Sequence, residues 1–122
     1  MKKILYALAL IALISVAVQV VQYVKKDKLK EEAIISLSKV YELEMAYKEM
    51  FGHYTDNIYA LVFIQDTLVT EGGKANYKVS LLEVTDSTFI ATAISVVDFD
   101  RDGKFNTWTV NETGVITELV ED

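Results

Sequence analysis

Residues 4–24 read ILYALALIALISVAVQVVQYV, a run with no charge in which Ser15, Gln19 and Gln22 are the only strongly polar side chains. As a helix rising about 1.5 Å per residue, it would reach about 30 Å, the thickness of a bilayer's hydrocarbon core. Lys2 and Lys3 precede it, and Lys25, Lys26, Lys28 and Lys30 follow with Asp27 among them. Both ends therefore carry cations suited to lipid headgroups, and flanking charge assigns no orientation. A secretory signal cleaved after Ser15-Val16-Ala17 is a second reading, but it leaves residues 18–24 as an apolar new N-terminus. A buried core helix is a third, and the rest of the chain is too small to surround it. The length of the run favours a retained membrane anchor.

Working outward from the run, residues 27–51 place Ile34, Leu37, Val40, Leu43, Tyr47 and Met50 in a stripe at helical spacing, flanked by Ala33, Tyr41 and Phe51. Lys39, Glu42, Lys48 and Glu49 supply a solvent side, with Glu44 and Lys48 spaced as a surface pair. Nothing between Val24 and Glu31 breaks a helix, and the chain has no Pro. The expectation is one rod from residue 4 to about 51, apolar all round in its first half and on one stripe in its second. Gly52 stands where a left-handed C-terminal cap belongs.

Residues 52–75 mix turn formers with apolar anchors and read as a loop with a short helical turn. Residues 76–84 (NYKVSLLEV) and 88–97 (TFIATAISVV) are rich in β-branched side chains around Thr85-Asp86-Ser87, a hairpin signal. Phe89, Ala91, Ala93 and Ser95 alternate with Ile90, Thr92, Ile94 and Val96, so a helix could lie close on the small face. Residues 106–110 and 115–120 form another hairpin around Asn111-Glu112-Thr113-Gly114. The predicted fold class is α+β: a long N-terminal helix on an antiparallel sheet of three or four strands spanning 76–122, with residues 1–30 as anchor and 31–122 as head.

Charge divides along the same line. Residues 1–30 carry six Lys and one Asp, whereas 31–122 carry six Lys or Arg against 17 Asp or Glu, a net of −11. An acidic head of this kind does not suit phosphate backbones, so nucleic acid is an unfavourable partner. The absence of Cys rules out disulfides and thiolate metal sites, and His53 is the lone His. With no nucleophile–base pair and no phosphate loop, catalysis is not expected. Tyr41, Tyr47, Phe51, Tyr54 and Trp108 read as core packing, with an aromatic binding platform as the sharper alternative.

Asp98, Asp100 and Asp102, followed by Gly103, match the first half of a calcium loop, where closely spaced oxygens surround a hard cation and Gly permits the turn. The twelfth position is Thr109 rather than a bidentate Glu. A shorter loop with Asn106 as the last side-chain ligand fits better, and calcium is the ion it would take. An exposed acidic turn without an ion is the plainer reading.

Taken in order, an apolar helix, Gln22-Tyr23, LSKVYELEMAYKEMFGHYTDNIYALVF over residues 37–63, Ala91-Thr92-Ala93, the Asp98–Gly103 loop and Thr107-Trp108-Thr109-Val110-Asn111 resemble a type IV pilin or a type II secretion pseudopilin. The resemblance covers nearly the whole chain. It implies a subunit held in the bacterial inner membrane with its head outside the cytoplasm, then built into a pilus-like filament at the cell surface. Polymerisation would run through Leu5, Leu8, Leu10, Ile11, Leu13, Ile14, Val16, Val18, Val20, Val21 and Val24, packed on the same helix of other copies. Three family features are missing from this sequence: a leader Gly before the run, an acidic residue early in it, and the helix-kinking Pro. A membrane-anchored monomer that binds partners through its head, with or without calcium, is the alternative.

Overall fold

A computed structural model of the chain describes residues 28–121. Residues 4–24, expected as the assembly helix, lie outside those residues, as do Lys25 and Lys26. The chain falls into two compact units, Met1–Lys30 and Glu31–Asp122. The strands among the described residues belong to the second.

Helix α1 occupies residues 28–51. Four strands follow: β1 (Tyr77–Val84), β2 (Phe89–Ser95), β3 (Thr107–Asn111) and β4 (Ile116–Val120). They pair antiparallel in the order β1-β2-β3-β4, a simple meander. With α1 packed on one face, the architecture is α+β. The β1–β2 ladder carries an irregularity between Leu81 and Glu83, which moves Leu82 out of register, and a second lies between Thr107 and Trp108.

The core lies between helix and sheet. Ala33, Leu37 and Val40 of α1 are fully buried, as are Phe89, Ala91 and Ala93 of β2 and Val110 of β3. Small side chains at 91 and 93 let the helix approach the sheet, and Tyr54 meets Phe89 edge to face at 4.9 Å. The expected stripe holds at Leu37 and Val40, but the fully buried row departs from it at its ends. It runs through Ala33, Leu37, Val40 and Glu44, whereas Ile34, Met50 and Phe51 are exposed, and Leu43 and Tyr47 are half-buried. Ala33 joins Ala91 and Ala93 in the same buried cluster. The row brings a carboxyl inside with it.

The expected loop over residues 52–75 contains consecutive turns at 57–62, a 3-10 helix Val69–Glu71 and an isolated bridge between Leu68 and Ala75. Gly73 is required there, because a Cβ would stand 2.0 Å from the Thr67 carbonyl oxygen. Two side chains tie this region down. Glu32 of α1 accepts the backbone N–H groups of Asn76 and Tyr77 at 2.9 Å each, plus the Asn76 amide at 3.0 Å. Gln65 donates to the Tyr77 carbonyl at 3.1 Å and accepts the Val79 N–H at 2.9 Å.

Candidate functional site

The acidic loop leaves the sheet just after β2. Ser95 starts the departure: its hydroxyl donates to the Val97 carbonyl at 2.7 Å and accepts the Val97 N–H at 3.1 Å. Beyond it Asp98, Asp100 and Asp102 converge, with one carboxylate oxygen from each inside a 4.8 Å cluster. Arg101 adopts a left-handed backbone (φ 60°), as does Gly103. That turn aims backbone donors inward. The Asp102 N–H reaches Asp98 and Asp100 at 3.3 Å each, the Gly103 N–H reaches Asp98 at 2.7 Å, and the Lys104 N–H reaches Asp102 at 2.8 Å. These bonds offset part of the mutual repulsion of the carboxylates.

Asn106 does not join them. It is wholly buried, and its carbonyl oxygen accepts the Tyr77 hydroxyl at 2.6 Å and the Trp108 indole N–H at 2.7 Å. Its amide donates to Glu118 at 2.7 Å and to the Val120 carbonyl at 2.8 Å. Both oxygen lone pairs are thus in use, and a cation could take this oxygen only by breaking two buried bonds. The donor set therefore shrinks from four side chains to three, half or fewer of the oxygens a calcium ion takes. Asn106 is the hub joining β1, β3 and β4.

Of the expected basic residues, Lys28 is exposed and Lys30 half-buried on α1. Among the described residues no helix is long and apolar enough to cross a membrane. His53 is exposed beside the helix end; its Nδ1 lies 2.9 Å from the Tyr54 carbonyl, and its ring meets Tyr47 edge-on. The aromatic residues divide: Tyr54 is buried, Tyr41, Tyr47 and Trp108 pack half-buried against the core, and Phe51 stands exposed 4.5 Å from Tyr47. On the outer sheet face Thr92, Thr109 and Thr117 sit opposite one another, with Leu82, Ile90, Val115 and Leu119 around a shallow groove.

The group that sequence reasoning placed wrongly is Glu44. It is fully buried, and its Oε1 accepts the Thr55 N–H at 3.0 Å, so it makes no surface pair with Lys48. Lys48 instead lies over the Tyr54 ring, 4.6 Å from its centre. A signal was present: residues 33, 37, 40 and 44 follow one helical row, and 44 is the charged member.

Comparison with models of known protein families finds no match. A search of curated proteins finds none either.

Proposed function

We propose that this chain is a structural subunit of a type IV pilus-like extracellular filament, polymerising through its hydrophobic N-terminal segment. The observation that carries the reading is a charge-free run of 21 residues, 4–24, that leads without Pro or Gly into a helix covered on one side by a four-stranded meander. A helix apolar all round has no stable place in water, so outside lipid it must be covered by its own kind. Ala7, Ala9, Ala12, Ser15 and Ala17 would permit close approach between copies. Lys25, Lys26, Lys28 and Lys30 of one copy would then face the acidic heads of its neighbours. Before assembly the chain is anchored in the bacterial inner membrane, head outward, and its role is structural rather than catalytic.

One observation favours the anchored monomer instead. Lys2 and Lys3 would be costly inside a dry helical core, and the run has no acidic residue to pair with them. Electron microscopy of sheared surface material, with intact-mass analysis of the chain in it, decides between the two. The filament reading expects helical fibres containing the chain and their loss in Leu10→Asp or Ile14→Lys. Finding the chain only in membranes, with no fibre, would leave the monomer.

A further inference from the structure

Glu44 is a fully buried carboxyl group with one protein partner among the described residues. Thr55 donates to Oε1, and no donor reaches Oε2. The groups around it give no cation to pair with. Asp56 adds negative charge from the segment after the helix. The Tyr54 phenol nearby feels Glu112 of the β3–β4 turn, Tyr41 and Glu44 itself. Lys48 is engaged with the Tyr54 ring, and His53 with the Tyr54 carbonyl. An ionised carboxylate in such a place forfeits its hydration and recovers one hydrogen bond.

The segment that Thr55 belongs to runs between two fixed features. Gly52, at φ 80° and donating to the Lys48 carbonyl at 2.7 Å, caps α1 at one end, and Gln65, bonded to Tyr77 and Val79 of β1, ends the segment at the other. Between them Tyr54 and Leu61 are buried. Val62 is held at φ 58°, a left-handed backbone that a β-branched residue rarely adopts.

We propose that Glu44 is a pH-operated latch on residues 53–64: uncharged, it lets the segment stay seated on α1, and ionised, it draws water in beneath Thr55 and loosens the segment. The linkage has a definite sign. Burial raises the Glu44 carboxyl above its ordinary value, more than the Thr55 bond lowers it, and Asp56 raises it further. The seated state therefore holds the proton more tightly than the loosened one. Seating is favoured in acid and lost as pH rises from the ordinary carboxylate range through the raised value, by up to about tenfold per pH unit in that window. The Tyr54 phenol, raised by its own burial first, stays protonated throughout and does not compete.

Hydrogen exchange read by mass spectrometry on the full-length protein in detergent tests this between pH 4.5 and 8.5, with rates corrected for intrinsic pH dependence. In the wild type, protection of residues 53–64 should fall severalfold as pH rises while β2 stays constant; in Glu44→Gln it should be flat. If Glu44→Gln loses protection in β2 as well, Glu44→Met, close in volume and without charge, supplies the comparison. His53→Gln should keep the wild-type fall. A flat wild-type profile, the same fall without Glu44, or its disappearance in His53→Gln would each overturn the latch.

Discussion

Replacing Glu32 by Ala removes the acceptor that joins α1 to the start of β1. Three donors lose their partner: the backbone N–H groups of Asn76 and Tyr77, each 2.9 Å from the carboxylate, and the Asn76 amide at 3.0 Å. Hydrogen bonds to a charged acceptor are worth about 1.5–3 kcal/mol each when deleted from a dry site. Glu32 is half-buried, so water replaces part of the loss. Counting about 1 kcal/mol for each backbone donor and less for the side-chain amide gives about 2–3 kcal/mol. For a unit of this size that corresponds to about 10–20 °C in Tm. Glu32→Gln keeps one acceptor oxygen but turns an amide N–H toward donors, and should lie between the two. The assay is near-ultraviolet circular dichroism of the full-length protein in detergent, which follows Trp108 and the tyrosines through the transition. Exposed Glu31→Ala is the control, expected within about 0.5 kcal/mol of wild type. If Glu32→Ala melted no lower than Glu31→Ala, the carboxylate would not be holding the strand.

Enlarging Ala93 to Leu, at the place where α1 lies on β2, should cost about 1–3 kcal/mol by overpacking, whereas the same change at exposed Ala60 should be nearly silent in thermal melts. Asn106→Ala strands the Tyr77 hydroxyl and the Trp108 indole together and should destabilise by about 3 kcal/mol, with a shift in tryptophan emission that Thr107→Ala does not produce. With Asn106 committed to the core, exchanging chelator for millimolar calcium should leave Tm within about 1 °C. A rise of several degrees, abolished by Asp98→Asn, would show that the three aspartates suffice.

The strands were legible because β-branched residues alternate and turn formers punctuate them; Phe89, Ala91, Ala93 and Ser95 do share the buried face. The helix over 28–51 was equally legible from its periodicity. Which residues turn inward at the ends of its stripe was not, because two adjacent rows are apolar enough there. Periodicity counts Ile34 and Met50 as core and has no means of counting Glu44 as such. Asn106 misled for a similar reason. Its spacing from the aspartates suits an ion, but a buried amide goes to whichever partners the sheet register presents, and Tyr77 and Trp108 lie far apart in sequence or on the next strand turn. Glu32 and Gln65 bond to strands 44 and 12–14 residues away, contacts that no local pattern announces.

Gln65 gives the sheet a direction. Its amide bonds the carbonyl of Tyr77 and the N–H of Val79, as a residue of a parallel neighbouring strand opposite Lys78 would do. One side chain thus counterfeits a fifth strand one residue long, too short to be copied by anything that follows it. Exposed edges invite other chains, and here the invitation at β1 has been answered from within. Growth of the sheet by an incoming strand is hindered at the start of β1, where Gln65 holds Tyr77 and Val79. A Gln65→Ala change would open the start of the β1 edge, so its first symptom should be clumping at high concentration, ahead of any loss of fold.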